Sequence, residues 1–178
     1  METSPLPPSL LRARIGKYLP DLIFGANDGI ITTLAVVSGV VGASLSSTVI
    51  LILGFANLLA DGFSMGASNV LSRRSEPQAN TLPTLKTAGY HGLATFIGFI
   101  AAGIVPLWAY MLPWFDGARF AAAIALALGT LFLVGATRAF FTSRGWLASG
   151  LEMLLLGSFA ALVAYCIGAI GAAIIGKH

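Results

Sequence analysis

The sequence predicts an all-α membrane protein of five transmembrane helices with its N-terminus in the cytoplasm. Hydrophobic residues make up 57% of the 178 residues and charged residues only 10%, whereas soluble domains carry about 25% charged residues. The mean hydropathy is +0.88. Five stretches each hold the roughly 20 mostly apolar residues that are needed to cross the hydrocarbon core of a bilayer. This length leaves room for one domain, and this composition excludes a soluble one.

The five predicted spans follow one another with short connections. They cover residues 21–44, 47–71, 89–111, 118–141 and 146–175. Residues 1–19 are predicted to form a disordered or surface-lying cytoplasmic lead-in, in which the prolines disfavour a helix. Residues 20–178 are predicted to form the five-helix transmembrane transporter domain. The polar segment 72–86 is the longest connection, and we expect a mobile loop there. The connections at 42–47 and 143–145 are short enough to require tight turns.

The basic residues set the predicted orientation. In a five-span arrangement, one side of the membrane holds eight of the ten: Arg12, Arg14, Lys17, Arg73, Arg74, Lys86, Arg138 and Arg144. Only Arg119 and Lys177 fall on the other side. Because Lys and Arg are enriched in cytoplasmic loops, the N-terminus is predicted to be cytoplasmic and the C-terminus to lie across the membrane. This placement also explains the net charge of +3 without a nucleic-acid partner.

Acidic residues inside the spans are the main indication of function, because ionisable side chains are costly in a bilayer. Asp28, Asp61 and Glu152 fall inside predicted spans. Asp21 and Arg138 lie near span ends, where the interface can reach them, and we assign both a structural role.

Asp28 lies on a first span that is rich in small residues. Gly25 and Gly29 form a G-x-x-x-G step, and Gly39 and Gly42 extend the small surface. Such surfaces permit close helix approach, so we expect this face to hold two subunits together. The alternative role for Asp28 is to fix helix packing through a hydrogen bond.

The second span carries a polar stripe, formed by Asn57, Asp61, Ser64, Met65 and Ser68 at helical spacing. Carboxylate and amide oxygens supply charge and dipole, and a thioether adds soft character. Together they suit a borderline divalent ion such as Fe²⁺ or Mn²⁺. The predicted metal ligands are therefore Asp28, Asp61, Met65 and Asn57.

Two further residues have open roles. His91 begins the third span and is either a structural residue at the interface or a proton relay or ligand. Glu152 begins the last span, where it caps the helix or pairs with Arg138 or Arg144. The alternative is that Glu152 lines the cytoplasmic entrance of an ion path.

Residues 62–66 also match G-x-S-x-G, the nucleophile elbow of serine hydrolases. That motif requires a strand followed by a sharp turn into a helix, whereas here it lies inside a predicted membrane helix. We therefore interpret Gly62 and Gly66 as a helix-contact face. An intramembrane serine hydrolase that uses Ser64 is the less favoured alternative.

Two motifs resemble the vacuolar iron transporter family: N-D-G-x-x-T-T at 27–33 and D-G-x-S-M-G at 61–66. The segment 144–171 is similar to the last helix of that family. The resemblance implies a homodimer of five-helix subunits with the ion path between the two copies. It also implies proton-coupled antiport of Fe²⁺, often also Mn²⁺, away from the cytoplasm. Asp28 and Met65 match the family residues that line the path.

The chain departs from the family pattern at two places. Well-studied members have a glutamate where this chain has Asn57, and this chain instead has an acid at Asp61. They also insert a long glutamate-rich cytosolic metal-binding domain after the second span, which residues 75–86 replace here. This pattern resembles the short nodulin-like and bacterial branch. The predicted location is thus the bacterial inner membrane, or a vacuolar or other endomembrane in a eukaryote.

The predicted function is transport of Fe²⁺ or Mn²⁺ out of the cytoplasm by proton antiport, and not an enzymatic reaction. An intramembrane carboxylate can hold either a proton or a cation, which gives a simple route to exchange. The metal is then substrate, and we expect no cofactor. A non-transporting membrane scaffold, in which the acids only hold helices together, is the alternative.

The five-span topology predicts opposite locations for Ser75 and Lys177. Single cysteines at these positions, in a Cys166→Ala background, should react with an impermeant thiol reagent from opposite faces of sealed vesicles. Permeabilised vesicles control for access to the reagent. Labelling of both positions from the same face would contradict the topology.

Overall fold

The computed structural model describes residues 8–75, 84–140 and 145–176, and the side chains of residues 16–75, 84–139 and 145–176. The described residues form α1 (Pro8–Gly42), α2 (Ser47–Ser75), α3 (Leu85–Gly103), α4 (Trp108–Met111), α5 (Arg119–Thr137) and α6 (Trp146–Ile175). Single 3₁₀ turns lie at Val105–Leu107, Pro113–Phe115 and Arg138–Phe140.

The predicted number and type of membrane spans is confirmed. Five helical segments of the described chain are long and apolar enough to cross a bilayer: Gly16–Gly42, Ser47–Ser75, Leu85–Met111, Arg119–Thr137 and Trp146–Ile175. The orientation of these spans stays a prediction.

The N-terminal helix begins earlier than expected. α1 starts at Pro8 and contains Pro20, so the expectation of irregular chain over 8–19 is wrong. Pro8 occupies the first helical position, where a backbone N–H has no intrahelical acceptor and proline is tolerated. Residues 1–7, with Pro5 and Pro7, lie outside the described residues.

The connections between spans agree with the sequence only in part. The tight turn between α1 and α2 is confirmed, and Ser44 adopts a positive φ of 57° within it. α2 continues to Ser75, so residues 72–75 are helix rather than loop, and residues 76–83 and 141–144 lie outside the described residues. α3 begins after Thr84, whose Oγ1 accepts a hydrogen bond from the Thr87 N–H at 3.2 Å.

α1 is the central helix of the bundle. It contacts α2, α3, α5 and α6, and Ile30, Leu34 and Val37 along it are almost completely buried. Phe99 of α3 is also fully buried, in a core shared with residues of α1 and α2. The polar side chains of α1 are therefore positioned by helices on several sides.

Glycines let α1 approach its neighbours at backbone distance. A Cβ at Gly25 or Gly29 would overlap the backbone carbonyls of Thr95 or Phe99 in α3. At the other end of α1, a Cβ at Gly42 would overlap the Tyr165 carbonyl in α6. This face of α1 is thus filled within one subunit, as close packing of small residues permits.

This packing corrects our prediction about the dimer. We expected the small-residue face of the first span to be exposed and to join two subunits, whereas Gly25, Gly29 and Gly42 are buried against α3 and α6. Small residues of α6 in the same subunit also pack against this face of α1, since a Cβ at Gly168 would overlap the Gly39 carbonyl.

The close contact between α1 and α3 can be tested at Gly98. A Cβ there would overlap the Leu22 carbonyl, so Gly98→Ala should lower the free energy of unfolding by about 1–3 kcal/mol, as overpacking does. Thermal unfolding in detergent measures the effect. Gly89→Ala is the matched control, because Gly89 lies on the same helix with open space at its Cβ position. Equal midpoints for the two variants would contradict this packing.

Candidate metal site and buried polar network

Asp28 lies on α1 and Asp61 on the neighbouring helix α2. Asp28 is half-buried and Asp61 is exposed within the subunit, and the two carboxylates are close enough for their negative charges to interact. The structure therefore brings together the two acids that the sequence placed on separate spans. Two like charges at close range repel one another in a low dielectric, and a bound cation or proton removes that repulsion.

The residues next to Asp28 in α1 differ in how their polar side chains are satisfied. Asn27 Oδ1 is buried and has no hydrogen-bond partner among the described residues. The Thr32 hydroxyl, in contrast, donates to the Asp28 backbone carbonyl at 2.9 Å, so it is engaged with its own helix.

The residues of the polar stripe on α2 differ in how deeply they are buried. Asn57 and Met65 are half-buried, whereas Asp61, Ser64 and Ser68 are exposed. Met65 packs against the buried core that contains Leu58 and Phe99, so it serves packing whatever else it does.

The side-chain amide of Asn57 has an unused hydrogen-bonding group. Its Nδ2 atom is buried without a partner in the described part of the chain. Because the two ends of an amide exchange by a half-turn of the side chain, Asn57 can also present its oxygen at that position.

A single subunit supplies few charged ligands. The described residues contain no cluster of three or more His, Cys, Asp or Glu side chains arranged to hold a metal ion. To hold a metal ion, the Asp28–Asp61 pair would need neutral ligands, such as Met65 or Asn57, or ligands from a second subunit.

The structure also shows a buried polar network that the sequence did not predict. Asp21 is only 7% exposed and lies near the start of the first candidate span. Its contacts agree with the structural role that we assigned, and its position at the membrane interface stays a prediction. Asn69 Nδ2 and Arg73 Nη2 both donate to Asp21 Oδ1 at 2.8 Å. His91 Nδ1 lies 2.5 Å from Asp21 Oδ2. Asp21 thus joins α1 to α2 and α3.

The network extends through Asn69 to Thr95. Asn69 Nδ2 also donates to Thr95 Oγ1 at 2.6 Å, and Arg73 Nε donates to Asn69 Oδ1 at 3.0 Å. Every polar residue of the network thus bonds to at least one other, as buried polar groups in proteins usually do.

His91 is buried within the bundle. It is 4% exposed, and its ring packs 4.7 Å from the Tyr18 ring. The structural role agrees with these contacts, and the interfacial position stays a prediction. A proton-relay role stays a prediction.

Glu152 lies near Arg138, with Oε2 4.0 Å from Nη1. This contact agrees with the pairing alternative. Both side chains are partly exposed, so the pair holds α6 near the end of α5 at modest energetic gain. A role at the entrance of an ion path stays a prediction, and Arg144 lies outside the described residues.

The G-x-S-x-G motif has no elbow geometry. Residues 62–66 lie in the middle of α2, without the strand and turn that activate a serine nucleophile. A Cβ at Gly62 would press on Phe96 and Phe99, and one at Gly66 would meet the Gly92 carbonyl at 2.9 Å. The interpretation of these glycines as a helix-contact face is confirmed.

The five long apolar helices of the described chain define a multi-pass membrane protein. The sequence model of the VIT family matches residues 19–88 and 80–169. The chain belongs to the VIT family.

Curated relatives extend over most of the chain. The vacuolar iron transporter of Plasmodium berghei is 25% identical, with 85% of this chain and 81% of the relative aligned. The protein of the same name from Plasmodium falciparum is 26% identical over the same shares. Vacuolar iron transporter 1 of Arabidopsis thaliana is 23% identical over 85% of each chain.

The alignments also show that the relatives are longer between matched segments. The alignment with the Plasmodium berghei protein spans 221 positions, more than the 178 residues of this chain. The family match is divided into two parts that overlap at residues 80–88, near the start of α3. The relatives therefore carry residues within the aligned region that this chain does not have.

The Asp21 network predicts a difference between two adjacent arginines. Arg73→Gln removes hydrogen bonds to Asp21 and Asn69 and should lower the free energy of unfolding by about 1–3 kcal/mol. Arg74→Gln removes the same charge from an exposed position and should have little effect. Thermal unfolding in detergent compares the two variants, and an equal loss in both would mean that the network does not stabilise the bundle.

Proposed function

We propose that the protein exports Fe²⁺ or Mn²⁺ from the cytoplasm in exchange for protons. The observation that carries this proposal is the proximity of Asp28 and Asp61, which lie on two candidate membrane spans. Membership of the VIT family and relatives named as vacuolar iron transporters support iron as a substrate.

The acid pair supplies the exchange chemistry. When both carboxylates are ionised, their repulsion and poor solvation are relieved either by one divalent cation or by protons. Metal and proton therefore compete for the same oxygens. Release of the metal on the far side lets protons occupy the site, and their departure to the cytoplasm restores it.

Met65 and Asn57 are proposed as the neutral ligands. Met65 lies one turn from Asp61 on the same face of α2, and Asn57 lies one turn before it. A thioether favours Fe²⁺ over the harder Mn²⁺, while the carboxylates serve both ions.

We propose a homodimer that covers the exposed polar face of α2. Asp61, Ser64 and Ser68 are exposed in the single subunit, and a charged group facing lipid is costly. A second copy placed over α1 and α2 would shield these residues and enclose the path between the subunits. Asp28 and Asp61 of each copy would then lie on the shared path.

The scaffold alternative and the transporter differ in what they require of Asp28. In a scaffold the carboxylate contributes to packing, so its loss destabilises the bundle. In the transporter its charge is exchanged, so its loss abolishes flux. Because Asp28 is repelled by Asp61, removal of that charge is expected to leave stability unchanged or slightly higher.

Asp28→Asn tests these alternatives. In proteoliposomes with a trapped metal indicator and an internal pH dye, Fe²⁺ and Mn²⁺ flux and the coupled proton movement should fall by about ten-fold or more, since a loss of about 1.4 kcal/mol in metal binding is already ten-fold. The unfolding midpoint should not fall. Cys166→Ser, at an exposed position of α6, is the control with normal flux. Undiminished, proton-coupled flux in Asp28→Asn would overturn the proposal.

A further inference from the structure

A cavity of about 420 Å³ lies at the end of the bundle where α1 meets α2 and α4 leads into α5. It shares no residue with the acid pair or with the Asp21 network. Its wall includes the hydroxyl-bearing residues Ser44, Ser47 and Tyr110, together with Arg119. All four can donate hydrogen bonds, and one carries a positive charge.

Two of these donors are buried without a protein acceptor. Tyr110 is only 7% exposed, and its hydroxyl has no hydrogen-bond partner among the described residues. The Nε–H of Arg119 is also buried and unpartnered there, and the arginine charge is close enough to act on the Tyr110 hydroxyl. Buried donors without acceptors are costly, so this wall is suited to a ligand that brings acceptor oxygens.

Two helix N-termini at the cavity also favour a ligand with negative charge. α2 begins at Ser47 and α5 begins at Arg119, and both residues line the cavity. Ala118, at the N-cap of α5, provides no side-chain cap. The free backbone N–H groups and the partial positive charge at a helix N-terminus favour anions.

One acid lies near this wall. Asp116 accepts a hydrogen bond from Arg119 Nη2, and its side chain is 63% exposed. It engages Nη2 of the guanidinium and leaves the Nε–H without a partner among the described residues. An anion in the cavity would compete with Asp116 for Arg119, so the acid is expected to weaken anion binding.

We infer that this cavity binds a phosphate group, with Tyr110 and Arg119 as its main donors and the Ser44 and Ser47 hydroxyls beside them. A tetrahedral oxyanion offers several acceptors at once and matches the guanidinium geometry. The cavity lies at the ends of four membrane helices, where phospholipid headgroups are concentrated. The phosphate can therefore come from a lipid headgroup or from free phosphate.

Thermal unfolding of the purified full-length protein in detergent can distinguish these sources. One titration adds inorganic phosphate at constant ionic strength, and a second adds short-chain phosphatidylglycerol. Diacylglycerol of the same chain length controls for lipid tails without phosphate. The midpoint should rise with phosphate or phosphatidylglycerol and not with diacylglycerol, because a ligand that binds the folded state stabilises it.

Four variants locate the effect. Tyr110→Phe and Arg119→Gln should each raise the half-saturating concentration by about ten-fold, because a hydrogen bond to a charged group is lost. Asp116→Asn should lower it. Arg74→Gln removes an equal charge at the opposite end of α2 and should match wild type. Size-exclusion elution and the ligand-free midpoint check folding, and Tyr110→Phe and Asp116→Asn still decide the test if Arg119→Gln does not fold.

The outcomes separate clearly. A response to phosphatidylglycerol alone assigns the site to a lipid headgroup, and a response to inorganic phosphate assigns it to the free anion. A midpoint that responds to neither, or a response unchanged in Tyr110→Phe and Arg119→Gln, would overturn the inference.

Discussion

The backbone contact between α1 and its neighbours determines the arrangement of the whole bundle. Gly25 and Gly29 bring α1 against α3, and Gly42 brings it against α6. Two sides of α1 are thereby filled with backbone and small side chains. Asp28 is not among the glycine contacts, and it is close enough to Asp61 of α2 for the two charges to interact. The position of the acid pair is thus a consequence of how closely the other sides of α1 are packed.

The two ends of the bundle differ in whether their buried polar groups have hydrogen-bond partners. At one end, Asp21, Asn69, Arg73 and His91 bond to one another and join three helices. At the other end, the Tyr110 hydroxyl and Arg119 Nε face a cavity without partners in the described chain. A satisfied network rigidifies its surroundings, whereas unsatisfied donors are open to a ligand. The metal pathway that we propose lies between the end held together by the Asp21 network and the end where Tyr110 and Arg119 have donors without partners among the described residues.

Local pattern was enough to predict the spans. Composition and hydrophobic runs located all five helices, and the helical spacing of Asn57, Asp61 and Met65 placed them on one face of α2. The predicted start of α1 was wrong because proline breaks a helix in its interior but is accepted at the first helical position.

The Asp21 network could not be predicted in the same way. His91 is 70 positions from Asp21 in the chain, so no local periodicity connects them. The i, i+4 spacing of Asn69 and Arg73 on α2 was the available signal, because two polar residues on one face of a membrane helix need a partner. The small-residue face of α1 was identified correctly, but pattern alone does not say whether such a face meets another helix of the same subunit or of a second one.

The exposure of Asp61 has a consequence for how the protein is made. A newly inserted subunit presents a carboxylate from the middle of α2 to its surroundings, at a cost of about 2.5–3.5 kcal/mol if that carboxylate is charged at the centre of the bilayer. Burial by a second copy would remove this cost, so membrane insertion and subunit pairing would be energetically coupled. The amount of correctly inserted protein would then depend on its own concentration in the membrane, and a subunit made in isolation would be the form most readily recognised by membrane proteases.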